Sequence, residues 1–325
     1  MRDEIEWSVP PEVEPRPGNY DFDLEEILPS MVGLRAVVPE DAFTAETLGA
    51  ERSGNGVVID RSGLVLTVGY LITEAEEIWL KTNDGRIVGG HPLAFDQETG
   101  FGLVQALGRL DLPALTLGDS ARASVGTRVI AAGAGGAAHS VAAFIAGKQE
   151  FAGYWEYVLD EAIFTVPAHP YWGGTGLIGP DGRLLGIGSL QLQQTREDGT
   201  GVPLNMFIPT DLLKPIMDDL LTLGRANRPP RPWLGLYATE NDDRVVIAGL
   251  SERGPAAKAG LKRGDMVISV GGGRVTGLAG LFRSIWSMGE AGVAIPMTIL
   301  RDGQPHELTV RSGDRNSFLK APKLH

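Results

Sequence analysis

The segment GVVIDRSGLVLTV, Gly56 to Val68, sets two apolar runs on either side of the polar turn Asp60-Arg61-Ser62-Gly63, and the same pattern recurs along most of the chain. Short β-branched runs broken by turn residues specify hairpins rather than long helices. EIWLKTNDGRIVGG, FGLVQAL, TRVIAAGA, SVAAFIAGK and EAIFTVPA repeat it between Glu77 and Ala168. The 44 glycines and 21 prolines lie between such runs rather than in one tract. The expected architecture is therefore β-rich, with enough strands for two small barrels. One helical pattern stands out, TDLLKPIMDDLLTLG from Thr210 to Gly224, with Thr210 or Asp211 placed to cap it, Pro215 near its first turn and Gly224 to stop it. The Pro-rich, basic stretch RANRPPRP, residues 225–232, marks the best domain boundary. Beyond it, WLGL, RVVIAGL, DMVISVGG, IPMTILRDG and HELTVRS have strand character, and LAGLFRSIWSMG is a helix ended by Gly289.

At 325 residues the chain is long enough for two or three domains. Its net charge of -12 argues against nucleic acid or an anionic membrane surface as partner. The absence of cysteine excludes disulfides, thiolate metal sites and cysteine nucleophiles. Residues 1–30 carry nine acidic residues, two basic ones and five prolines, the composition of a solvated arm. A docking arm using Trp7, Tyr20 and Phe22 is the alternative. The start MRDEIEW has no basic region followed by an apolar one, so a cytoplasmic location is expected, and a periplasmic one only if the native N-terminus is missing. Residues 314–325 are expected to form a loose tail. GGGR at Gly271 and GAGG at Gly133 lack the strand, spacing and helix of a phosphate loop, and no His, Asp or Glu cluster has metal-ligand spacing. No cofactor or metal is expected.

Several stretches together resemble the HtrA/Deg proteases. SGNGVVIDRSGLVLTVGYLI is similar to the family segment that contains its catalytic histidine. DQETGFGLVQAL with DLPALTLGDSARASVGTRVIAAG is similar to the runs that hold its aspartate and follow it. AIFTVPAHPYWGGTGLIGPDGRLLGIGS is similar to its nucleophile loop, and WLGL with SERGPAAKAGLKRGDMVISVGG to its PDZ domain. The resemblance covers residues 31 to 313 in the same order. It implies a mostly β chain: two chymotrypsin-like six-stranded barrels over residues 31–224, a linker over 225–232 and an α+β PDZ domain over 233–313. It also implies a homo-oligomer, a trimer by family habit.

The same registration puts Tyr70 where the family has its histidine, Gly100 where it has its aspartate and Gly173 where it has its serine. A serine hydroxyl needs an imidazole to take its proton and a carboxylate to orient that imidazole. Tyrosine, with a pKa near 10, is a poor base at neutral pH, and glycine offers no side chain. Loss of the nucleophile alone removes on the order of 10⁶ in rate in a comparable triad. Backbone N–H groups from Tyr171 to Gly173 would leave an oxyanion hole worth on the order of 10³. A displaced site would have to use Thr175 with His169, His91 or His139. Tyr70 has a plainer reading as a plug in the cleft, and His169 as a loop residue packed beside Tyr171 and Trp172. The expectation is a chain that is not an enzyme, with no catalytic residue at the three positions.

A PDZ domain adds an extended peptide to a sheet edge and holds its terminal carboxylate on backbone N–H groups. The resemblance places that loop at Trp233, Leu234, Gly235 and Leu236, with Leu281 and Ile285 lining the pocket for the last side chain. A groove blocked by the chain itself is the competing reading. Three functions follow as expectations: a non-catalytic scaffold or chaperone-like protein that binds a protein or peptide through the PDZ groove, a serine-type endopeptidase with a rearranged site, or a permanently docked subunit of a larger complex.

Overall fold

The computed structural model describes residues 7–195, 199–242 and 244–320. By Cα packing the described residues divide into two units, one within residues 7–149, 161–227 and 320, the other within residues 150–160 and 228–319.

The first unit holds two closed six-stranded antiparallel barrels. Barrel one comprises β1 (Met31–Val37), β2 (Glu51–Asp60), β3 (Leu64–Val68), β4 (Glu77–Lys81), β5 (Ile87–Phe95) and β6 (Phe101–Ala106), in the order β1-β2-β3-β6-β5-β4. Barrel two comprises β7 (Arg128–Ala132), β8 (Ser140–Gly153), β9 (Tyr157–Val166), β10 (Gly176–Ile178), β11 (Leu184–Thr195) and β12 (Gly201–Pro209), in the order β10-β11-β12-β9-β8-β7. In β4, Ile78 and Leu80 are buried between exposed Glu77, Trp79 and Lys81, the two-residue period of a strand with one face inward. By contrast β3 is buried on both faces, which its unbroken apolar run LVLTV demands.

Three readings of the sequence are corrected here. Residues 7–30 are not a solvated arm: Val9 and Leu24 are buried, and Val9 joins Val129, Val141 and Phe207 in the core of barrel two. Residues 1–6 lie outside the described residues. The α-helix expected from Thr210 begins only at Met217, after two 3₁₀ turns, because Pro215 has no N–H to give an α-helical bond. Neither proposed cap acts as one. The Thr210 hydroxyl donates to Leu184 O, and the Asp211 carboxylate accepts from Ser120 Oγ and Ala121 N. Gly224 ends the helix as predicted, in the left-handed region at φ 69°.

The second unit is a sheet in the order β13-β14-β15-β17-β18, with β13 (Leu236–Asn241), β14 (Arg244–Leu250), β15 (Met266–Val270), β16 (Gly273–Arg274), β17 (Ala294–Arg301) and β18 (Gln304–Arg311); β16 pairs with β15. The helix Gly277–Trp286 buries Leu281, Phe282 and Ile285 in its core. Residues of the expected linker pack on this unit: Pro230 O accepts from Ala291 N, and the Arg231 guanidinium lies 4.6 Å from the Trp286 ring centroid. The expected loose tail is also bound here, with Phe318 tilted against Trp233 at 4.9 Å between ring centroids. Residues 321–325 lie outside the described residues. The expected barrel domain, residues 31–224, includes Glu150–Asp160, whereas by packing they belong to this second unit.

Candidate functional site: a filled cleft and a filled peptide groove

In the first unit, Tyr70 sits in a 3₁₀ turn after β3, and its phenol donates to Ser189 O at 3.0 Å. A Cβ added to Gly173 would stand 2.9 Å from that phenol oxygen. The side chain at position 70 therefore occupies the space into which any side chain at 173 would grow. Burial pushes the Tyr70 phenol well above its ordinary pKa, so it stays a neutral hydrogen-bond donor at physiological pH. Gly100 is brought to the residue before Tyr70, with its carbonyl accepting from Gly69 N at 2.7 Å. Its φ of 85° is one that a side chain strains to adopt. The three positions registered in the sequence thus lie together.

The loop of Gly173 is held by main chain. Gly173 O accepts from Asn55 N at 2.8 Å, and the Asn55 side chain donates to Tyr171 O and accepts from Ala134 N. Gly174 N donates to Gly188 O, and a Cβ at Gly174 would meet Asn55 O at 1.8 Å. Only glycine fits there.

Thr175 and His169 are not paired with each other. The Thr175 hydroxyl is fully buried and donates to Trp172 O at 2.8 Å. His169 is also fully buried; its Nδ1 accepts from Tyr171 N and its Nε2 lies 2.9 Å from His139 O, which assigns the neutral Nε2–H tautomer. Burial lowers its pKa further from the physiological range. The expected oxyanion hole is incomplete in this arrangement, because the Tyr171 N–H is turned to His169. Trp7 closes over the group, edge-on to His139 and His169 and tilted on Tyr171 at 4.5 Å. His91 lies on β5 opposite Gln105, in the sheet of barrel one.

A support beneath Tyr70 escaped the sequence reading. Buried Arg52 donates to Tyr70 O at 2.7 Å and Thr73 O at 2.9 Å, and to the Thr44 hydroxyl. That hydroxyl donates to Glu74, which also accepts from Phe43, Thr44 and Lys320 main-chain N–H groups. Desolvation, partly offset by Glu74, lowers the Arg52 guanidinium to about 10, so it remains charged at neutral pH. Nothing in the spacing of Arg52 and Glu74 signals this pairing.

In the second unit, the N–H groups of Leu234, Gly235 and Leu236 converge on one carboxylate, that of Glu156. Gly235 N lies 2.7 Å and Leu236 N 3.1 Å from Oε1, and Leu234 N 3.1 Å from Oε2. Gly235 has φ 74°, which turns three successive amides inward, and a Cβ there would press on the Trp233 ring. Trp233 does not contribute a donor: its N–H goes to Gly313 O at 3.0 Å. Leu281 and Ile285 are fully buried, and Val158 joins the same apolar cluster. Burial pushes the Glu156 carboxyl up to about 7 despite the three amide donors and the nearby Arg315 charge.

Residues 54–187 match the trypsin-like peptidase domain and residues 232–311 the PDZ domain. A trypsin-like peptidase fold joined to a PDZ domain defines the class of protein. The order of the two and the relatives they bring place this chain in the HtrA family. It is 30% identical over 274 residues to a probable periplasmic serine endoprotease, DegP-like, from Halomonas elongata, covering 80% of this chain and 56% of that protein. A protein of the same description from Hahella chejuensis is 26% identical over 290 residues, covering 84% of this chain and 60% of its own length. The chain thus spans little more than half the length of these curated relatives. Among solved structures, the HtrA-type protease AlgW with decapeptide aligns at a TM-score of 0.53 and 21% identity, covering 92% of this chain and 98% of that one. The serine endoprotease from Yersinia pestis aligns at 0.52 and 22%, covering 90% and 96%.

This kinship overturns two expectations. Relatives named serine endoproteases point to a protease, against the expectation, drawn from positions 70, 100 and 173, of a chain that is not an enzyme. Relatives named periplasmic likewise overturn the cytoplasmic location expected from the first residues. Among the described residues, no helix is long and apolar enough to cross a membrane.

Proposed function

We propose that this HtrA-type chain works by peptide recognition in its PDZ groove, taking an extended segment that ends in a free carboxylate and an apolar side chain. The observation that carries the reading is the convergence of three main-chain N–H groups on one carboxylate at Leu234–Leu236. A hydrogen bond to a charged acceptor is stronger than one between neutral groups, and three from one loop select a carboxylate over an amide. Leu281 and Ile285 supply the apolar lining. The test is fluorescence anisotropy with a labelled octapeptide ending in valine, compared with its C-terminal amide. Preference for the free carboxylate, lost in Gly235→Trp, is the expected result; equal binding of both peptides would sink the reading.

A second reading, favoured by the relatives' names, is a serine-type endopeptidase with a rearranged site. Position 173 has no hydroxyl, so hydrolysis would need another nucleophile, and Thr175 would first have to give up its bond to Trp172 O. Labelling by a fluorophosphonate probe that disappears in Thr175→Ala would support it, and absence of labelling at any concentration tried would count against it. The homotrimer implied by family resemblance is carried here as a proposal, read by native mass measurement.

A further inference from the structure

The carboxylate in the loop belongs to the chain itself. Glu156 lies at the tip of residues 150–160, between β8 and β9, at a φ of 60° that is unusual for a side-chain-bearing residue. The tip does more than place an anion. Tyr154 O accepts from Ala238 N at 2.9 Å, and Leu236 N donates to Glu156. Leu236 and Ala238 are alternate residues of β13, which is the edge of its sheet, so their amides have the two-residue period of an edge open to an added strand. Val158 enters the apolar cluster that holds Leu281 and Ile285. Both ends of the tip are fastened by Arg283, which reaches from the helix Gly277–Trp286 to Glu150 and Asp160. An edge amide, a carboxylate in the loop and an apolar residue against the helix are the three contacts an extended PDZ ligand makes.

We infer that residues 150–160 are a built-in ligand of the PDZ groove, with the Glu156 side chain standing in for a peptide's terminal carboxylate, so that a carboxyl-terminal peptide binds only by displacing it. The inference rests on the peptide-binding reading of the groove. A tethered ligand competes at an effective concentration in the millimolar range. An incoming peptide therefore sees only the fraction of molecules whose tip has left, and its apparent affinity falls by that fraction. The groove selects for peptides that outmatch the tip: a free carboxylate, an apolar last residue and backbone able to pair with β13. A peptide supplying fewer of these contacts leaves the tip in place.

The test measures binding of the labelled valine-terminated octapeptide to the full chain, its Glu156→Ala variant and its Arg283→Ala variant. Glu156→Ala is expected to tighten binding at least about ten-fold, and Arg283→Ala a few-fold, because one vacates the loop and the other only loosens the tip. An added peptide EFAGYWEYVLD, amidated at its C-terminus, should then displace the label from Glu156→Ala. Equal affinity in wild type and Glu156→Ala would overturn the inference while leaving the peptide groove standing. Failure of any variant to bind would overturn the groove itself. Should Glu156→Ala lose its near-UV circular dichroism, Arg283→Ala decides alone, and an affinity unchanged from wild type overturns the inference.

Discussion

The barrel cleft and the PDZ groove are both filled from within, but by groups of different chemistry. In the barrel cleft the filler is Tyr70, a neutral phenol carried on a turn that Arg52 grips by its main chain. In the PDZ groove the filler is a carboxylate on a tip fastened by partly exposed ion pairs. A ring held by its bond to Ser189 O on a turn braced by Arg52 leaves only when the structure around it opens. A carboxylate held by amides can be exchanged for another carboxylate at nearly equal energy. The cleft is thus closed by packing, and the groove by competition.

The comparison breaks most visibly at the glycines. Gly174→Ala should cost more than about 3 kcal/mol or prevent folding, since its Cβ would overlap Asn55 O and its φ is 77°. Gly173→Ala, one residue earlier, meets only the tip of the Tyr70 ring and should cost about 1 kcal/mol. Urea denaturation of the two variants side by side reads the difference, and equal effects would mean that the cleft is not packed as described. Next in size, Tyr70→Ala should destabilise by about 3 kcal/mol through the cavity it leaves, and Tyr70→Phe by about 1 kcal/mol through the lost bond to Ser189 O. If Tyr70→Phe were as harmful as Tyr70→Ala, the phenol rather than the ring would be what closes the cleft.

The groove should show itself through pH. Glu156 titrates near 7 in the fold against 4.5 as its ordinary value, so between those two values the folded state holds a proton that the unfolded chain has released. Stability should therefore fall as pH rises from about 4.5 to about 7 and level off above it. Glu156→Gln should remove this component of the slope, measured as the difference between the two denaturation profiles. A slope identical in both chains would show that Glu156 is not buried as a carboxyl. The smallest effect belongs to Arg283→Ala, about 0.5 kcal/mol on stability, because its ion pairs face solvent.

Much of this architecture was legible in the residues. Short runs such as LVLTV and EIWLK specify strands by composition and alternation, and WLGL followed by a helical LAGLFRSIW marks the PDZ domain. The crowding of Tyr70, Gly100 and Gly173 followed from registration on their neighbours. What escaped was non-local. In EFAGYWEYVLD nothing separates the tip from the strands on either side, since the amides that Glu156 meets lie nearly 80 positions away. The same holds for Arg52 and Glu74, whose pairing depends on how β2 passes the turn after β3. The stretch from Trp7 to Ser30 is anchored by a few well-placed apolar residues, Val9 and Leu24 among them, which its acidic and proline-rich composition hides.

The tip is joined covalently at both ends, to β8 and to β9, and this fixes how the groove responds to abundance. Diluting the protein a thousandfold leaves the tip as close to its loop as before, so the chain's own occupancy does not depend on how much of it is made. Only the partner's concentration enters the balance. Under the proposed competition, the partner concentration that half-fills the groove is written into residues 150–160, rising with each contact added to the tip and falling with each one removed.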